Sequence, residues 1–106
     1  GDDDYYYSAA SGSDTIDNVG GGTDWVFMNG IASNRLSFHQ DGDDLLIRVD
    51  ASAAMQIRVL KHFLGGDFAI SYVQRGSGNA IPASQIPSRL TPLPQGVMAV
   101  MASSSQ

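Results

Sequence analysis

The sequence predicts a small, mainly β domain in which short strands are joined by tight turns. All eleven acidic residues are aspartate, ten lie within the first fifty positions, and seven of the twelve glycines accompany them. Aspartate and glycine in this combination favour turns, because both tolerate unusual backbone angles and aspartate bonds neighbouring amides. Three later segments alternate with the period of two that is typical of half-buried strands. Their apolar positions are Leu36 and Phe38, then Leu45, Ile47 and Val49, then Met55, Ile57 and Val59.

The charge balance excludes several classes of partner. The formal net charge is -5, with only six basic residues spread along the chain. Nucleic acids and anionic membrane surfaces are polyanions that select basic faces, so neither is expected as a partner. No cysteine is present, which excludes disulfides and thiolate metal sites. No apolar stretch approaches the roughly 20 residues of a membrane-spanning helix, so no transmembrane segment is predicted.

A Gly-x-Asp unit recurs four times along the first half of the chain. An apolar residue stands two positions after each of these aspartates, so each unit predicts a glycine turn followed by a short strand. Such a turn exposes backbone carbonyls beside one carboxylate. Calcium prefers such ligands, since it takes about 6–8 oxygens. The units are Gly1-Asp2-Asp3, Gly12-Ser13-Asp14, Gly22-Thr23-Asp24 and Gly42-Asp43-Asp44.

Roughly residues 1 to 75 resemble a known family. The stretch "GDDDYYYSAASGSDTI" is similar to the last, degenerate repeats of the calcium-binding repeats-in-toxin proteins, whose nonapeptide GGxGxDxUx builds a parallel β-roll. The stretches "GGGTDWVFMNGIASNRLSFHQDGDDLLIRV" and "MQIRVLKHFLGGDFAISYV" are similar to the segment that closes the roll in haemolysins and adenylate cyclase toxins. The resemblance implies the end of a parallel β-roll, capped by antiparallel strands or a hairpin.

The resemblance also implies a set of calcium ligands. Units two apart stack on the same side of a roll and share an ion, so Asp3 and Asp24 are expected to be partners. Asp14 is expected on the opposite side, facing a preceding turn of the parent protein. The double glycine of the family is kept only in "GGGTD". The candidate metal-binding residues are Gly1, Asp3, Gly12, Asp14, Gly20, Gly22 and Asp24.

The fourth unit is interpreted as a hairpin. The segment "HQDGDDLL" places an Asp-Gly pair between two alternating stretches, which is the strongest short hairpin signal and needs no metal at Asp43. Four aromatic residues are predicted to belong to the core by the usual behaviour of such side chains, and not to a ligand platform. They are Trp25, Phe27, Phe38 and Phe63.

The sequence does not favour an enzyme. His39 near Asp41 suggests a triad with one of the serines, but no Gly-x-Ser-x-Gly nucleophile elbow occurs. His39 and His62 lack a spacing that suits zinc. Any enzymatic or toxin activity is therefore expected to belong to the upstream part of the parent protein.

Residues 76–106 differ from the rest of the chain. Arg89 is their only charged residue, and Pro82, Pro87, Pro92 and Pro94 disfavour regular structure. The sequence predicts an irregular or disordered Pro/Ser/Ala-rich tail there. The family resemblance implies a C-terminal signal read by type I secretion machinery, and hence an extracellular protein. A tail that is merely disordered is the alternative.

Two functions remain open from the sequence. The first is a calcium-dependent folding and capping module of a secreted repeats-in-toxin protein. Its partners are calcium ions, upstream β-roll repeats of the parent protein and the type I secretion machinery, with a host-cell receptor as a further candidate. The second is a small β-rich adhesion domain that recognises a receptor or glycan, with incidental calcium.

Overall fold

The computed structural model describes residues 3–8, 11–18, 22–76 and 78–93, and within these ranges the chain is mainly β, as predicted. The strands are β1 (Asp4–Tyr7), β2 (Ser13–Ile16), β3 (Trp25–Met28), β4 (Leu36–Asp41), β5 (Asp44–Val49), β6 (Ser52–Val59), β7 (Tyr72–Gln74) and β8 (Ile81–Pro82). One short helix follows, α1 (Ile86–Arg89). The 3-10 turns are Ser33–Arg35, His62–Leu64, Gly66–Phe68 and Ala83–Gln85. No helix in the described ranges has the length and apolar character needed to cross a bilayer.

The strands form two mixed sheets, with orders β1-β3-β7-β8 and β2-β6-β5-β4. The chain enters the first sheet with β1, the second with β2, and returns to the first with β3. Strands β1, β3 and β7 run parallel to one another, and β6 runs parallel to β2. The remaining pairs, β4 with β5, β5 with β6 and β7 with β8, are antiparallel. Each sheet thus combines parallel pairs between strands distant in sequence with antiparallel pairs between strands that follow one another.

The two sheets share one hydrophobic core. Val26 of β3 lies opposite Tyr5 and Val73, so these three side chains face the same side of the first sheet. The second sheet contributes the alternating residues predicted from the sequence, with Phe38 opposite Ile47 and Ile47 opposite Ile57. The buried cluster is Tyr7, Ile16, Val26, Met28, Ile31, Phe38, Leu45, Ile47, Val49, Ile57, Val59, Ile70, Val73, Ile81 and Ile86.

The predicted hairpin is present. Asp41 lies opposite Asp44, so the connection is the two residues Gly42 and Asp43, and Gly42 has the positive φ of 63° that such a loop requires. The two facing carboxylates are held by one guanidinium: Arg58 donates to Asp44 across 2.8 Å and to Asp41 across 2.9 Å. The fourth Gly-x-Asp unit therefore has a complete explanation as a turn.

The expectation that little structure follows residue 76 is wrong for residues 78–93. Strand β8 pairs with β7, and Ile81 and Ile86 are fully buried. The backbone N–H of Thr91 donates to the carbonyl of Phe38 across 2.9 Å. The prolines are compatible with this packing because Pro87 lies in the first turn of α1, where a missing N–H costs little. The end of the predicted tail, residues 94–106, lies outside the described residues.

Two of the four aromatic residues assigned to the core lie elsewhere. Phe38 is buried, and Phe63 packs at the edge of the core. Trp25 and Phe27, however, occupy the outer face of the first sheet, where they alternate with the buried Val26 and Met28. Their rings stack with neighbours on adjacent strands: Phe27 with Tyr6 at 5.0 Å and Trp25 with Tyr72 at 4.4 Å between ring centroids. Cross-strand stacking thus replaces burial for these residues.

Candidate functional site

The centre of the candidate site is the carboxylate of Asp24, which is 0 % exposed. Asp24 stands directly before β3, so the turn that contains Gly22 brings its side chain inward. One carboxylate oxygen, Oδ1, accepts from the backbone N–H of Asp3 across 2.9 Å. The other, Oδ2, accepts from the side-chain amide of Asn18, also across 2.9 Å. Both oxygens are thus hydrogen-bonded within the protein, as a buried carboxylate requires.

The backbone of Asp24 joins the segments that precede β1 and β7. Its N–H donates to the hydroxyl of Ser71 across 3.2 Å, and its carbonyl accepts from the N–H of Ser71 across 2.8 Å. On the other side, the N–H of Trp25 donates to the carbonyl of Asp3 across 2.9 Å. The amide of Asn18 also donates to the carbonyl of Ala69. Asp24 and Asn18 therefore hold together the corner at which three parallel strands begin.

The electrostatic potential at this corner is negative. Burial raises the pKa of the Tyr5 phenol, and the carboxylates of Asp3, Asp24 and Asp17 raise it further. The Tyr5 hydroxyl lies 3.4 Å from Oδ1 of Asn18, to which it donates. Three acidic side chains therefore act on one phenol next to Asp24. A cation at this corner would be electrostatically favoured.

Asp14 lies in the other sheet. It is exposed on β2, opposite Ile57 of β6, and Gly12 precedes it with a φ of 77°. The Gly12 carbonyl is already an acceptor, from the Tyr7 hydroxyl and from the N–H of Gln56. Burial raises the pKa of Tyr7, and the Asp14 carboxylate adds to the effect. Asp14 also lines an open cavity of about 430 Å³ that is shared by the edges of β1 and β2.

The structure thus brings Asp3 and Asp24 together and leaves Asp14 on the other sheet, the arrangement expected for units two apart. Asp3 contacts Asp24 through its backbone N–H. Gly22 has the positive φ of 96° that favours glycine, while Gly1 and Gly20 lie outside the described residues. In the part of the chain that the structure describes, no three His, Cys, Asp or Glu side chains form a metal-binding group. Calcium binding stays a prediction.

Sequence reasoning missed two side chains that bind Asp24, Asn18 and Ser71, and also Tyr5, whose hydroxyl donates to Asn18. Asn18 and Ser71 lie outside the Gly-x-Asp units, and their contact with Asp24 depends on how the strands stack. Tyr5 was identified only as an apolar residue after its unit. The only local signal for Asn18 is its residue type and position. Asparagine can both donate and accept hydrogen bonds, and Asn18 stands two positions before "GGGTD".

The two histidines have separate environments. Nδ1 of His39 lies 3.0 Å from the carbonyl of Thr91, so this nitrogen donates, and Nε2 accepts from the Ser37 hydroxyl at 2.8 Å. Asp41, the acidic residue near His39 in sequence, binds Arg58 instead. His62 is buried, its Nδ1 accepts from the N–H of Ile70 across 3.2 Å, and burial lowers its pKa to about 4.

Neither a scan against models of protein families nor a search of curated proteins finds a match to this chain. The class that the fold and site define is a mixed two-sheet β domain with a buried, hydrogen-bonded carboxylate at one corner.

Proposed function

We propose that this chain is a capping module that closes one end of a calcium-dependent parallel β-roll in a secreted repeats-in-toxin protein. The observation that carries the proposal is the path of the chain between the two sheets. Strands β1, β2 and β3 alternate between the two sheets, and β3, β6 and β7 each pair in parallel with an earlier strand. The first strand to return to the second sheet, β4, instead pairs antiparallel with β5. A β-roll has the path of β1 to β3, with one turn contributing one strand to each sheet, and the antiparallel strands β4 to β6 would then close it.

The two ends of the domain differ in a way that fits a cap. Strands β1 and β2 are the outer strands of their sheets, and both line one cavity, so the two free edges lie at the same end. At the other end, the outer strand β4 is partly covered, because Leu90 bridges to Phe38. Free edges are usually protected because they recruit further strands. Upstream repeats of the parent protein are the partner that would add strands to β1 and β2 in parallel.

Calcium fits the acidic corner in this proposal. The Asp3 and Asp14 side chains are exposed, whereas both oxygens of Asp24 already accept one hydrogen bond each. A carboxylate offers about four lone-pair sites, so Asp24 retains capacity for a cation. We assign Asp3 and Asp14 as ligands and Asp24 as both a ligand and the residue that holds the turns together. Ion binding would then be coupled to folding, since the turns present the ligands only when stacked.

Export completes the proposal. The family resemblance implies that the C-terminal end of the chain directs type I secretion, so the module would act outside the cell, where millimolar calcium is available. Removing residues 94–106 from the parent protein should then retain it inside the cell. Secretion of the shortened protein would exclude a signal in that segment.

An adhesion domain is the second candidate, and the outer aromatic face favours it. Tyr6 is 65 % exposed and stacks on Phe27, which is itself only half buried. Exposed aromatic side chains are typical of surfaces that bind other molecules. A receptor or glycan could contact this face with no role for calcium.

A calcium titration tests the first proposal against the second. Far-UV circular dichroism should change toward β structure between chelator and millimolar calcium, and calorimetry should show saturable binding that Asp14→Asn weakens. Asp67→Asn removes the same charge from the exposed turn Gly66–Phe68 and should leave affinity unchanged. A domain that is fully folded in chelator and binds no calcium would exclude the first proposal and leave adhesion.

A further inference from the structure

A second cavity, of about 280 Å³, lies at the capped end of the domain. It is bordered by the outer strand β4 and by residues that follow β7. Two arginines, Arg75 and Arg89, line it. Among the residues that the structure describes, no acidic side chain lines it. The cavity therefore presents two positive charges in a protein whose net charge is -5.

The other basic residues of the chain are engaged elsewhere. Arg35 pairs with Asp50, and Arg58 pairs with Asp41 and Asp44. Arg48 donates to the side-chain oxygen of Gln56, and Lys61 lies over the ring of Phe68. Within the described ranges, Arg75 and Arg89 form no ion pair with a carboxylate. Two arginines that form no ion pair with a described carboxylate thus line one cavity.

Arg75 is held in place before any ligand arrives. Its Nε and Nη2 atoms donate to the carbonyl of Asn79 across 2.9 and 2.6 Å. The side chain of Gln74 donates to the carbonyl of Gly78 and so closes the same loop. A Cβ at Gly78 would lie 3.2 Å from Nη2 of Arg75, so the absence of a side chain there leaves room for the guanidinium. Toward the described residues, Nη1 of Arg75 donates no hydrogen bond, and a fixed guanidinium loses less entropy on binding.

The rest of the lining suits an oxyanion that carries an apolar group. Three hydroxyl-bearing residues, Ser33, Ser37 and Thr91, line the cavity together with the arginines. Leu36, Phe38 and Ile81 supply an apolar wall. Guanidinium groups bind planar carboxylates through paired hydrogen bonds, whereas the apolar wall would leave a fully hydrated inorganic ion without favourable contacts.

We propose that this cavity binds a small organic carboxylate, with the carboxylate between Arg75 and Arg89 and its apolar chain against Leu36, Phe38 and Ile81. The inference does not depend on calcium binding or on a β-roll. The size of the cavity, at the lower end of ligand sites, limits the ligand to a short chain.

The test compares hexanoate with probes that lack one of its two features: acetate, hexanol and inorganic phosphate. Hexanoate at millimolar concentration should shift the ¹H–¹⁵N signals of Arg75, Gly76 and Ser37 in a saturable way. Hexanol should bind at least about tenfold more weakly because it lacks the charge that strengthens hydrogen bonds to guanidinium groups. Acetate and phosphate should also bind at least about tenfold more weakly, because they lack the apolar chain that would be buried against the wall of the cavity. Equal binding of hexanol would show that the arginines have no role, and tighter binding of phosphate would overturn the assigned ligand class.

Variants provide the second arm. The double variant Arg75→Gln with Arg89→Gln should lose hexanoate binding by at least about tenfold. Arg48→Gln is the control, because it makes the same substitution at an arginine outside the cavity, and it should bind hexanoate normally. Unchanged binding by the double variant would overturn the proposal, as would the absence of any saturable shift in the wild-type protein.

Discussion

The backbone N–H of Asp3 donates to the buried carboxylate of Asp24 across 2.9 Å, so one side chain holds together two turns that are 21 residues apart in the sequence. Removal of this carboxylate leaves the Asp3 N–H and the Asn18 amide without their acceptor. We therefore predict that Asp24→Ala lowers the free energy of unfolding by roughly 2–5 kcal/mol, because each unsatisfied buried donor costs about 1–3 kcal/mol. Urea denaturation in the presence of a chelator would measure this loss without calcium.

The control for Asp24 is Asp43, which lies exposed in the hairpin loop. Asp43→Ala should change stability by less than about 0.5 kcal/mol, as surface substitutions usually do. If Asp24→Ala is equally mild in chelator, the hydrogen bonds of Asp24 contribute little, and its main role would be to bind an ion.

Calcium affinity should distinguish the first three Gly-x-Asp units from the hairpin. On the proposal that Asp24 is a calcium ligand, Asp24→Ala should weaken calcium binding markedly, since it removes that carboxylate and also loosens the turn that presents Asp3. Asp43→Ala should leave the dissociation constant nearly unchanged, because Asp43 lies in a loop explained by its turn geometry. Isothermal titration calorimetry of both variants measures the difference, and equal loss of affinity would show that the division between roll and hairpin is wrong.

His62 predicts a dependence of stability on pH. Its pKa is lowered to about 4 in the folded protein, from an ordinary value of 6.5, because burial disfavours the charged form. The unfolded chain therefore binds this proton more readily, so stability is fully present above pH 6.5 and falls as the pH drops toward 4. The full loss is about 3 kcal/mol, at 1.36 kcal/mol for each pKa unit. The midpoints of urea unfolding, measured between pH 7.5 and 4.5, would show this loss of stability.

His62→Gln is the matched variant for this measurement. The glutamine side chain can still accept from the N–H of Ile70 but does not titrate in this range. Its stability should fall less steeply than that of the wild-type protein between pH 6.5 and 4.5. Parallel curves for the two proteins would assign the acid sensitivity to other groups.

Local patterns were sufficient to predict the hairpin and much of the core. The alternation of Phe38, Ile47 and Ile57 identified the buried face of the second sheet, and the Asp-Gly pair located the turn. The alternation within β3 likewise distinguishes the partly exposed Trp25 and Phe27 from the buried Val26 and Met28. The prediction followed the general preference of aromatic residues for burial instead, and it was wrong for Trp25 and Phe27. Residue type alone did not predict the position of Trp25 and Phe27, because their rings stack on aromatic side chains of neighbouring strands instead of entering the core.

The candidate site was less predictable, because its contacts join residues far apart in sequence. The resemblance led us to expect Asp3 and Asp24 as partners that share an ion, whereas the structure joins them by a hydrogen bond from the backbone of Asp3. Asn18 and Ser71 bind Asp24 through the stacking of three segments. No local sequence pattern predicts the cavity that Arg75 and Arg89 line. Its two arginines lie in different elements, and only the packing of residues 78–93 brings them to one place.

The packing of residues 78–93 gives the last prediction, which concerns the cap. Ile86 in α1 is 0 % exposed, so Ile86→Ala should lower the free energy of unfolding by about 2–5 kcal/mol. Truncation after Gly76 removes Ile81 as well, and also the backbone contact of Thr91 with Phe38, so it should unfold the domain at ambient temperature. Circular dichroism melting of both variants measures these effects.

Leu64→Ala is the control, because Leu64 is a comparably large apolar residue that is 56 % exposed. It should melt within a degree or two of the wild-type protein, since little of its surface is removed from water on folding. If the truncated domain melted like the wild type, residues 78–93 would contribute little to stability, and the core would be complete without them. Their buried isoleucines argue against this, because Ile86 and Ile81 belong to the same cluster as Phe38 and Val73 of the two sheets.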